Sequence, residues 1–260
     1  MHRIGVAAGV AAALAIIIPC AFHGKAGAAG IYEDAPAESA FLLSPEQITV
    51  RGTLEATSGG AEGSVYRLLA AFPVRRAFFI SIDQPFVALT DSSGIETGLG
   101  DLRLRARARL WGGGGRTICL LGYLSAGTGN SRFFPFSSQT IDLNTSAGYA
   151  DSLGTLTVWA IAGYTWVSNY PDREDVVAAV TDYLRVSAGA SLALGSRTGV
   201  GVGALILSYA NDARRDLLFA TGSYRWTDAL GLFADVQVET GPVGERVNDW
   251  GAIGGVSVGF

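Results

Sequence analysis

An alternation of arginine with apolar residues runs from residue 101 to 111, where the sequence reads DLRLRARARLW. In an extended chain successive side chains point to opposite faces, so every arginine would lie on one face and every leucine and alanine on the other. A helix would scatter the same residues around its axis. The segment therefore predicts a β-strand with one charged and one apolar face. The charged face is Arg103, Arg105, Arg107 and Arg109, and the apolar face is Leu102, Leu104, Ala106, Ala108 and Leu110.

The same two-residue period recurs through most of the chain. In residues 182–194 apolar side chains oppose Tyr183, Arg185 and Ser187, and in residues 230–239 they oppose a second polar set that includes Asp235. Such alternation is typical of strands with two chemically different faces. Candidate strands begin near residues 48, 64, 77, 95, 116, 140, 156, 182, 198, 216, 230 and 249, which gives about twelve strands.

The connections between the candidate strands fall into two classes. Short turns are predicted at 74–77, 112–116, 151–154, 195–198 and 226–230, and long links at 127–140, 168–180 and 239–249. If the strands run up and down, all the long links lie at one end and these tight turns lie at the other. Outer-membrane barrels have this asymmetry, with short periplasmic turns and longer external loops.

The number of charges on the polar faces decides between a soluble β-sandwich and a membrane barrel. A dry core could not hold them, because buried charges without partners are costly. A barrel satisfies both faces, since its apolar face contacts lipid, its polar face lines the lumen, and closure leaves no unpaired strand edge. The sequence therefore predicts an all-β fold, a transmembrane antiparallel up-and-down β-barrel of about twelve strands over residues 48–260.

The first 28 residues have the layout of a secretory signal peptide. A basic start precedes an apolar run from Ile4 to Ile18, and an Ala-x-Ala site follows at residues 26–28. The run is shorter than the roughly 20 residues of a membrane-spanning helix. A lipoprotein signal at Cys20 is disfavoured, because proline precedes the cysteine in place of the usual small residues. Residues 29–47 are then expected to form a short periplasmic segment, either a tether or a partial lumen insert.

Charge and histidine content exclude several classes of function. Without residues 1–28 the chain has 17 basic residues, all arginine, and 23 acidic residues, so its net charge is 17 − 23 = −6. It has no basic footprint for nucleic acid. His2 and His23, the two histidines of the sequence, precede the cleavage site, which excludes histidine-dependent hydrolysis. We therefore expect no enzyme activity, no cofactor and no metal site.

The polar faces of the predicted strands define a set of lumen-lining residues. One interpretation is an electrostatic pore lining that selects or orients anionic groups, as charged rings do in channels. The other is a lumen closed by arginine–carboxylate pairs, in a barrel that serves a structural or surface-interaction role. The predicted set is Arg51, Glu55, Arg67, Asp83, Arg103, Arg105, Arg107, Arg109, Asp142, Arg185, Arg225, Asp235 and Glu239, with Asp101 on the same face.

Three further patterns concern aromatic residues and glycines. Phe133, Phe134 and Phe136 fall in a predicted external loop, where they would either receive an apolar solute or pack on the loop itself. Tyr164 and Trp166, like the pair Tyr224 and Trp226, share the apolar parity near strand ends and predict interface girdles. The run GVGVG at 199–203 predicts a strand with small inward side chains, and 172–184 fits either a short helical lid or a strand.

The last strand, DWGAIGGVSVGF, places Trp250, Val256, Val258 and Phe260 on one parity and ends on an aromatic residue. This ending resembles the signal that bacterial outer-membrane proteins present to the barrel assembly machinery. The resemblance implies that this machinery is a partner of the chain and that the chain resides in the outer membrane.

The segment TGLGDLRLRARARL, residues 97–110, resembles a Gly-Leu-Gly-Asp segment followed by an alternating strand in a known family. It is the transporter-like outer-membrane family named for the MetA pathway of phenol degradation. The resemblance implies passage of small organic compounds, aromatic ones included, across the outer membrane. The expected function is therefore passive or facilitated diffusion of small solutes through an arginine-lined lumen, and the partners are lipid and a small-molecule solute. The oligomeric state is left open.

Overall fold

The structure is a computed structural model of the 260-residue chain, and it describes residues 49–57, 62–75, 78–91, 94–129, 140–168, 182–210, 214–240 and 250–259. These residues form thirteen strand segments joined by turns and contain no helix. The segments are β1 (Thr49–Thr57), β2 (Glu62–Arg75), β3 (Phe78–Asp91), β4 (Gly94–Leu99), β5 (Leu102–Gly113), β6 (Arg116–Ala126), β7 (Asp142–Leu153), β8 (Leu156–Val167), β9 (Tyr183–Ala193), β10 (Thr198–Tyr209), β11 (Arg214–Arg225), β12 (Leu230–Glu239) and β13 (Trp250–Gly259).

Every strand pairing among the described residues is antiparallel. From β5 to β13 each strand pairs with the next one in sequence, and β13 then pairs with β1. β1 also pairs with β2, β2 pairs with β3, and β3 pairs with β5, so the pairing returns to its starting point. The fold is therefore the predicted antiparallel up-and-down β-barrel. Each observed strand position begins within two residues of the predicted start.

β4 and β5 occupy a single position in the barrel. β3 pairs with β5 over Phe78–Asp83 and with β4 over Phe86–Asp91. The thirteen described segments thus fill twelve positions, the number that the sequence predicts. The sequence predicts one strand start near residue 95 for this position, and the structure divides the position at Gly100 and Asp101, which lie outside both segments.

The interruption lies beside Pro85 of β3, a residue without an N–H group to donate to a neighbouring strand. The backbone N–H of Gly100 donates to the carbonyl of Pro85 at 3.0 Å. The side-chain amide of Gln84 donates to the carbonyl of Gly100 at 3.1 Å. Backbone and side-chain hydrogen bonds therefore join β3 to the GLGD segment where the regular ladder stops.

Tight turns join the strands at one end of the barrel. β5 and β6 are joined through Gly114 and Gly115, whose φ angles of 60° and 85° lie in the left-handed region that glycine adopts at no steric cost. Two-residue turns of this kind hold neighbouring strands in register. The long predicted links lie mainly in 130–139, 169–181 and 241–249, which fall outside the described residues.

Contacts between strands that are not neighbours identify the inner face. The hydroxyl groups of Tyr123 on β6 and Tyr183 on β9 lie 2.9 Å apart, and the rings of Trp159 on β8 and Phe219 on β11 stack with centroids 6.0 Å apart. Such contacts reach across the barrel interior. The opposite parity, which includes Leu104 and other leucines, is exposed. The outer face is thus an apolar belt, as a lipid environment requires.

Two details of the outer face lie near the strand ends. A register shift between Arg109 and Trp111 places a bulge in β5, and Leu110 and Trp111 are both exposed. The predicted girdle residues form edge-on pairs. These are Tyr164 with Trp166 on β8 and Tyr224 with Trp226 at the end of β11.

The described residues include no helix that is long and apolar enough to cross a membrane.

Candidate functional site on the inner face of the barrel

The four arginines of β5 lie on the inner face. The register places Arg103 opposite Asp83 of β3, Arg105 opposite Ser81 and Arg107 opposite Phe79. Arg107 is 3% exposed, whereas Leu104 and Leu110, which alternate with these arginines, are among the more exposed apolar side chains. The period-two pattern therefore produces an inner wall of guanidinium groups, which we call the arginine wall (Arg103, Arg105, Arg107 and Arg109).

The arginine wall is held by specific partners. Arg105 Nη2 donates to Asp83 Oδ2 at 3.0 Å, and Asp83 is almost completely buried. The guanidinium of Arg107 lies over the ring of Phe79 at 4.2 Å, and that of Arg103 lies 5.7 Å from the ring of Tyr123. Cations attract the negative faces of aromatic rings, so these contacts fix the direction of each guanidinium.

A second group of charges lies on β9, β11 and β12. Arg215 pairs with Glu239 through two hydrogen bonds, Nε to Oε1 at 3.1 Å and Nη2 to Oε2 at 2.9 Å. This bidentate geometry is the strongest form of the arginine–carboxylate pair. Arg185 and Asp235 are buried on the same inner face. Arg215 is absent from the predicted lumen set because the predicted strand begins near residue 216; extending the alternation back by one residue includes it.

Uncharged polar side chains continue the inner face on β7 and β8. Asn144 Nδ2 donates to Thr165 Oγ1 at 2.9 Å, and Ser146 Oγ donates to Asn144 Oδ1 at 2.8 Å. Tyr123 joins this group, since its hydroxyl lies 3.5 Å from Thr165 Oγ1. These side chains form hydrogen bonds with one another, so they make a fixed polar surface beside the arginine wall.

The inner face is not polar throughout. Inward positions on β6 to β11 carry apolar side chains that are buried against one another. The Trp159–Phe219 stack spans Gly189 and Gly203, where a Cβ atom would meet the two rings. The inward glycines of GVGVG thus make room for neighbouring side chains, in agreement with the prediction. The buried cluster is Cys119, Leu121, Ala150, Trp159, Ile161, Tyr183, Leu205, Leu207, Leu217 and Phe219.

The structure describes the remaining predicted lumen residues in less detail. Asp142 lies at the start of β7, where its Oδ1 accepts a hydrogen bond from Thr140 at 2.7 Å. Arg225 has the parity of Arg215 but is exposed at the end of β11. The backbone register aligns Arg51, Glu55 and Arg67 with Leu69, Val65 and Thr53, respectively, in the alternation that continues to Asp83.

The predicted assembly and loop residues lie partly outside the described chain. The register pairs Trp250 with Val238, Val256 with Leu232 and Val258 with Leu230, which are outer-face positions. Phe260 and the patch Phe133, Phe134 and Phe136 fall outside the described residues. Of the segment 172–184, the structure describes residues 182–184, and β9 begins at residue 183.

Among the described residues, no group of three or more His, Cys, Asp or Glu side chains is arranged to hold a metal ion. The chemistry available on the inner face is therefore that of guanidinium groups, carboxylates, hydroxyls and amides beside an apolar surface.

Solved structures with a similar fold include an outer-membrane channel and two porins. The COG4313 outer membrane channel from Pseudomonas putida F1 has a TM-score of 0.61 at 16% identity, over 83% of this chain and 96% of that chain. The KdgM porin has a TM-score of 0.58 at 12% identity, over 82% of this chain and 99% of the porin. The NanC porin has a TM-score of 0.59 at 12% identity, over 81% and 98%. These similarities show the fold.

No protein-family model matches the chain, and no curated protein sequence matches it. The resemblance of residues 97–110 to the MetA-pathway family therefore stays a prediction.

Proposed function

We propose that the chain is an outer-membrane channel for passive or facilitated diffusion of small organic solutes. The observation that carries this proposal is the arginine wall on the inside of a barrel whose outer face is apolar. A barrel with this distribution is stable in lipid and has a polar surface along its axis. The similar fold of outer-membrane channels supports the proposal.

We propose further that the arginine wall favours anionic solutes. Charged rings select ions of opposite sign at close range. Arg107 and Arg109 lie on the same wall as Arg105, whose guanidinium pairs with Asp83. The resemblance of residues 97–110 adds aromatic compounds to the proposed solutes, and the trio Phe133, Phe134 and Phe136 is the proposed place where they enter. The proposal includes no catalytic activity.

A second candidate function is a structural or surface-interaction barrel with a closed lumen. Two observations favour it. Arg185 is 1% exposed, and the apolar cluster on β6 to β11 is packed as in a protein core. Buried ion pairs such as Arg215–Glu239 would then stabilise the barrel rather than select solutes. This candidate predicts no ion conductance.

Single-channel recording in planar bilayers tests the proposal. The wild-type chain should conduct and prefer anions, and Arg107→Gln with Arg109→Gln should shift the reversal potential in a potassium chloride gradient toward cations. Arg105 is retained because it pairs with Asp83. The shift should shrink in 1 M salt, where the Debye length is about 3 Å.

A matched control removes two arginines from the outer face. Arg116 and Arg214 are exposed and form surface pairs with Asp151 and Asp216. Arg116→Gln with Arg214→Gln removes the same charge as the test variant and should leave ion selectivity unchanged. A folded wild-type barrel without conductance would refute the channel and support the closed barrel.

A further inference from the structure

Four arginines are exposed among the residues whose side chains the structure describes, and they form two pairs of different kinds. Arg116 and Arg214 each form an ion pair with a carboxylate on the outer face. Arg197 and Arg225 form no ion pair with any described residue. They are therefore the exposed cations of the described chain that have no carboxylate partner there.

Arg197 and Arg225 lie directly opposite each other at the end of the barrel that has the tight turns. The backbone N–H of Arg225 donates to the carbonyl of Arg197 at 2.7 Å, which continues the β10–β11 register beyond Thr198 and Tyr224. Side chains directly opposite in an antiparallel pair have Cβ atoms about 4.5 to 5.5 Å apart, and like charges in this position are destabilising. An anion between the two guanidinium groups would remove this repulsion.

The neighbours of this arginine pair on the inner face are mostly small. The next pair along the same face is Gly199 and Ser223, which are opposite each other in the register, and Gly231 of β12 is opposite Arg225. Glycine has no side chain and Ser223 is exposed, so these neighbours leave space beside the guanidinium groups. The larger neighbour Phe233 is opposite Ser223 and is half-buried.

The local charge at this end of the inner face is positive. Asp228, in the turn from β11 to β12, is exposed and forms no ion pair with a described residue. Asp235 is opposite Thr221, which is four residues, or about 13 Å, from Arg225 along β11. Asp151 already forms an ion pair on the outer face. The two guanidinium groups and the carboxylate of Asp228 therefore leave a local charge of 2 − 1 = +1, which attracts an anion.

We propose that Arg197 and Arg225 form a binding site for one small anionic group, a carboxylate or a phosphate, at the turn end of the lumen. Guanidinium groups bind both kinds of group through paired hydrogen bonds. The proposal rests on the proposed function, because it identifies where an anionic solute is held at the end of the channel that faces the periplasm. The exposure of both arginines suits this role, since a permeating solute must both enter and leave its site.

Modification of arginine by phenylglyoxal, followed by mass spectrometry of the peptides, tests the site without any measurement of transport. The refolded chain without its predicted signal peptide is used in detergent micelles at constant ionic strength, and the probes are acetate and inorganic phosphate. The bound anion should slow the modification of Arg197 and Arg225 saturably and with the same half-maximal concentration. Arg116 and Arg214 are exposed controls in the same sample, and their rates should not change, because each already has a carboxylate partner.

Arg225→Gln should raise the apparent Kd that is measured from the protection of Arg197 at least about tenfold, the factor for losing one hydrogen bond to a charged group. Arg116→Gln is the matched control. It removes one exposed arginine at the same end of the barrel and should leave the protection of Arg197 unchanged. Heat-modifiable mobility on gels checks that each variant folds, and Arg197→Gln, measured from the protection of Arg225, replaces Arg225→Gln if the latter does not fold.

The two probes distinguish the sources of the anion. Protection by both acetate and phosphate assigns the site to small anions in general, and protection by one of them alone assigns it to carboxylates or to phosphates. No protection by either anion, equal protection of all four exposed arginines, or unchanged protection of Arg197 in Arg225→Gln would overturn the site. A barrel that shows the protection but does not conduct would retain the site and refute the channel.

Discussion

Asp83 accepts a hydrogen bond from Arg105 at 3.0 Å, although the backbone register places Arg103 directly opposite Asp83. The carboxylate therefore pairs along the diagonal of the ladder. The ion pair neutralises the charge of Arg105, and the guanidinium of Arg103 instead contacts the ring of Tyr123. The direction of the Asp83 side chain thus distinguishes Arg105 from Arg103, which hold equivalent positions in the sequence alternation.

Arg105→Gln should destabilise the barrel, because it leaves Asp83 buried without its arginine. Removal of one partner of a buried pair costs about 3 to 5 kcal/mol. Asp83→Asn in the same chain should restore most of that loss, since two neutral amides can hydrogen-bond to each other. The measurement is the free energy of unfolding by urea in lipid vesicles. Additive losses from the two substitutions would contradict a direct pair.

Ala106→Arg should impair insertion. Ala106 lies on the outer face between Arg105 and Arg107, and an arginine in the lipid near the midplane costs about 2 to 4 kcal/mol. Ala106→Leu is the matched control and should insert normally, because it adds apolar volume to the same position. Heat-modifiable mobility and the amount of folded protein in the membrane report the result. Normal insertion of Ala106→Arg would mean that the two faces of β5 are reversed.

Gly203→Ala should destabilise the barrel. A Cβ atom at Gly203 would meet the ring of Phe219 and would lie 2.7 Å from the carbonyl oxygen of Ala188, which cannot move without shifting β9. Overpacking of this kind costs about 1 to 3 kcal/mol. Gly254→Ala is the control, because a Cβ there has no atom within 4 Å. Urea unfolding should separate the two variants, and equal stabilities would argue against the close packing of Phe219 on β10.

Deletion of Phe260 should reduce the amount of barrel in the outer membrane more than it changes the stability of the refolded protein. The reason is the resemblance of the C-terminal strand to the signal that the assembly machinery receives. Phe260→Tyr keeps an aromatic end and should assemble like the wild type. Quantitative detection in outer-membrane fractions, together with urea unfolding of the refolded proteins, checks this. Wild-type amounts of the truncated chain would exclude the signal.

The strands could be predicted from the sequence because the two-residue alternation of side chains is a property of each strand alone. Alternation assigns each residue to a face without reference to any other strand, so the sequence alone assigns Arg185 and Leu184 to opposite faces, and the structure buries the first and exposes the second. Glycine-rich turns also mark strand ends locally, as Gly114 and Gly115 do. The fold class and the approximate strand starts followed from such signals.

The bulge in β5 and the interruption at Gly100 were not predicted. Both depend on how a strand fits its neighbour. Trp111 joins Leu110 on the outer face because the register with β6 shifts by one residue. The break beside Pro85 reflects a missing N–H on the neighbouring strand β3. Neither the bulge nor the interruption alters the alternation of the sequence enough to be recognised without the neighbouring strand.

The sequence by itself determined that the chain has one charged and one apolar surface along extended strands, because side-chain direction alternates residue by residue. The tertiary structure decided which inner side chains meet. It paired Asp83 with Arg105, Arg215 with Glu239 and Trp159 with Phe219. The physical reason is that these contacts depend on the register of neighbouring strands and on ring closure, which brings together residues that are far apart in the sequence.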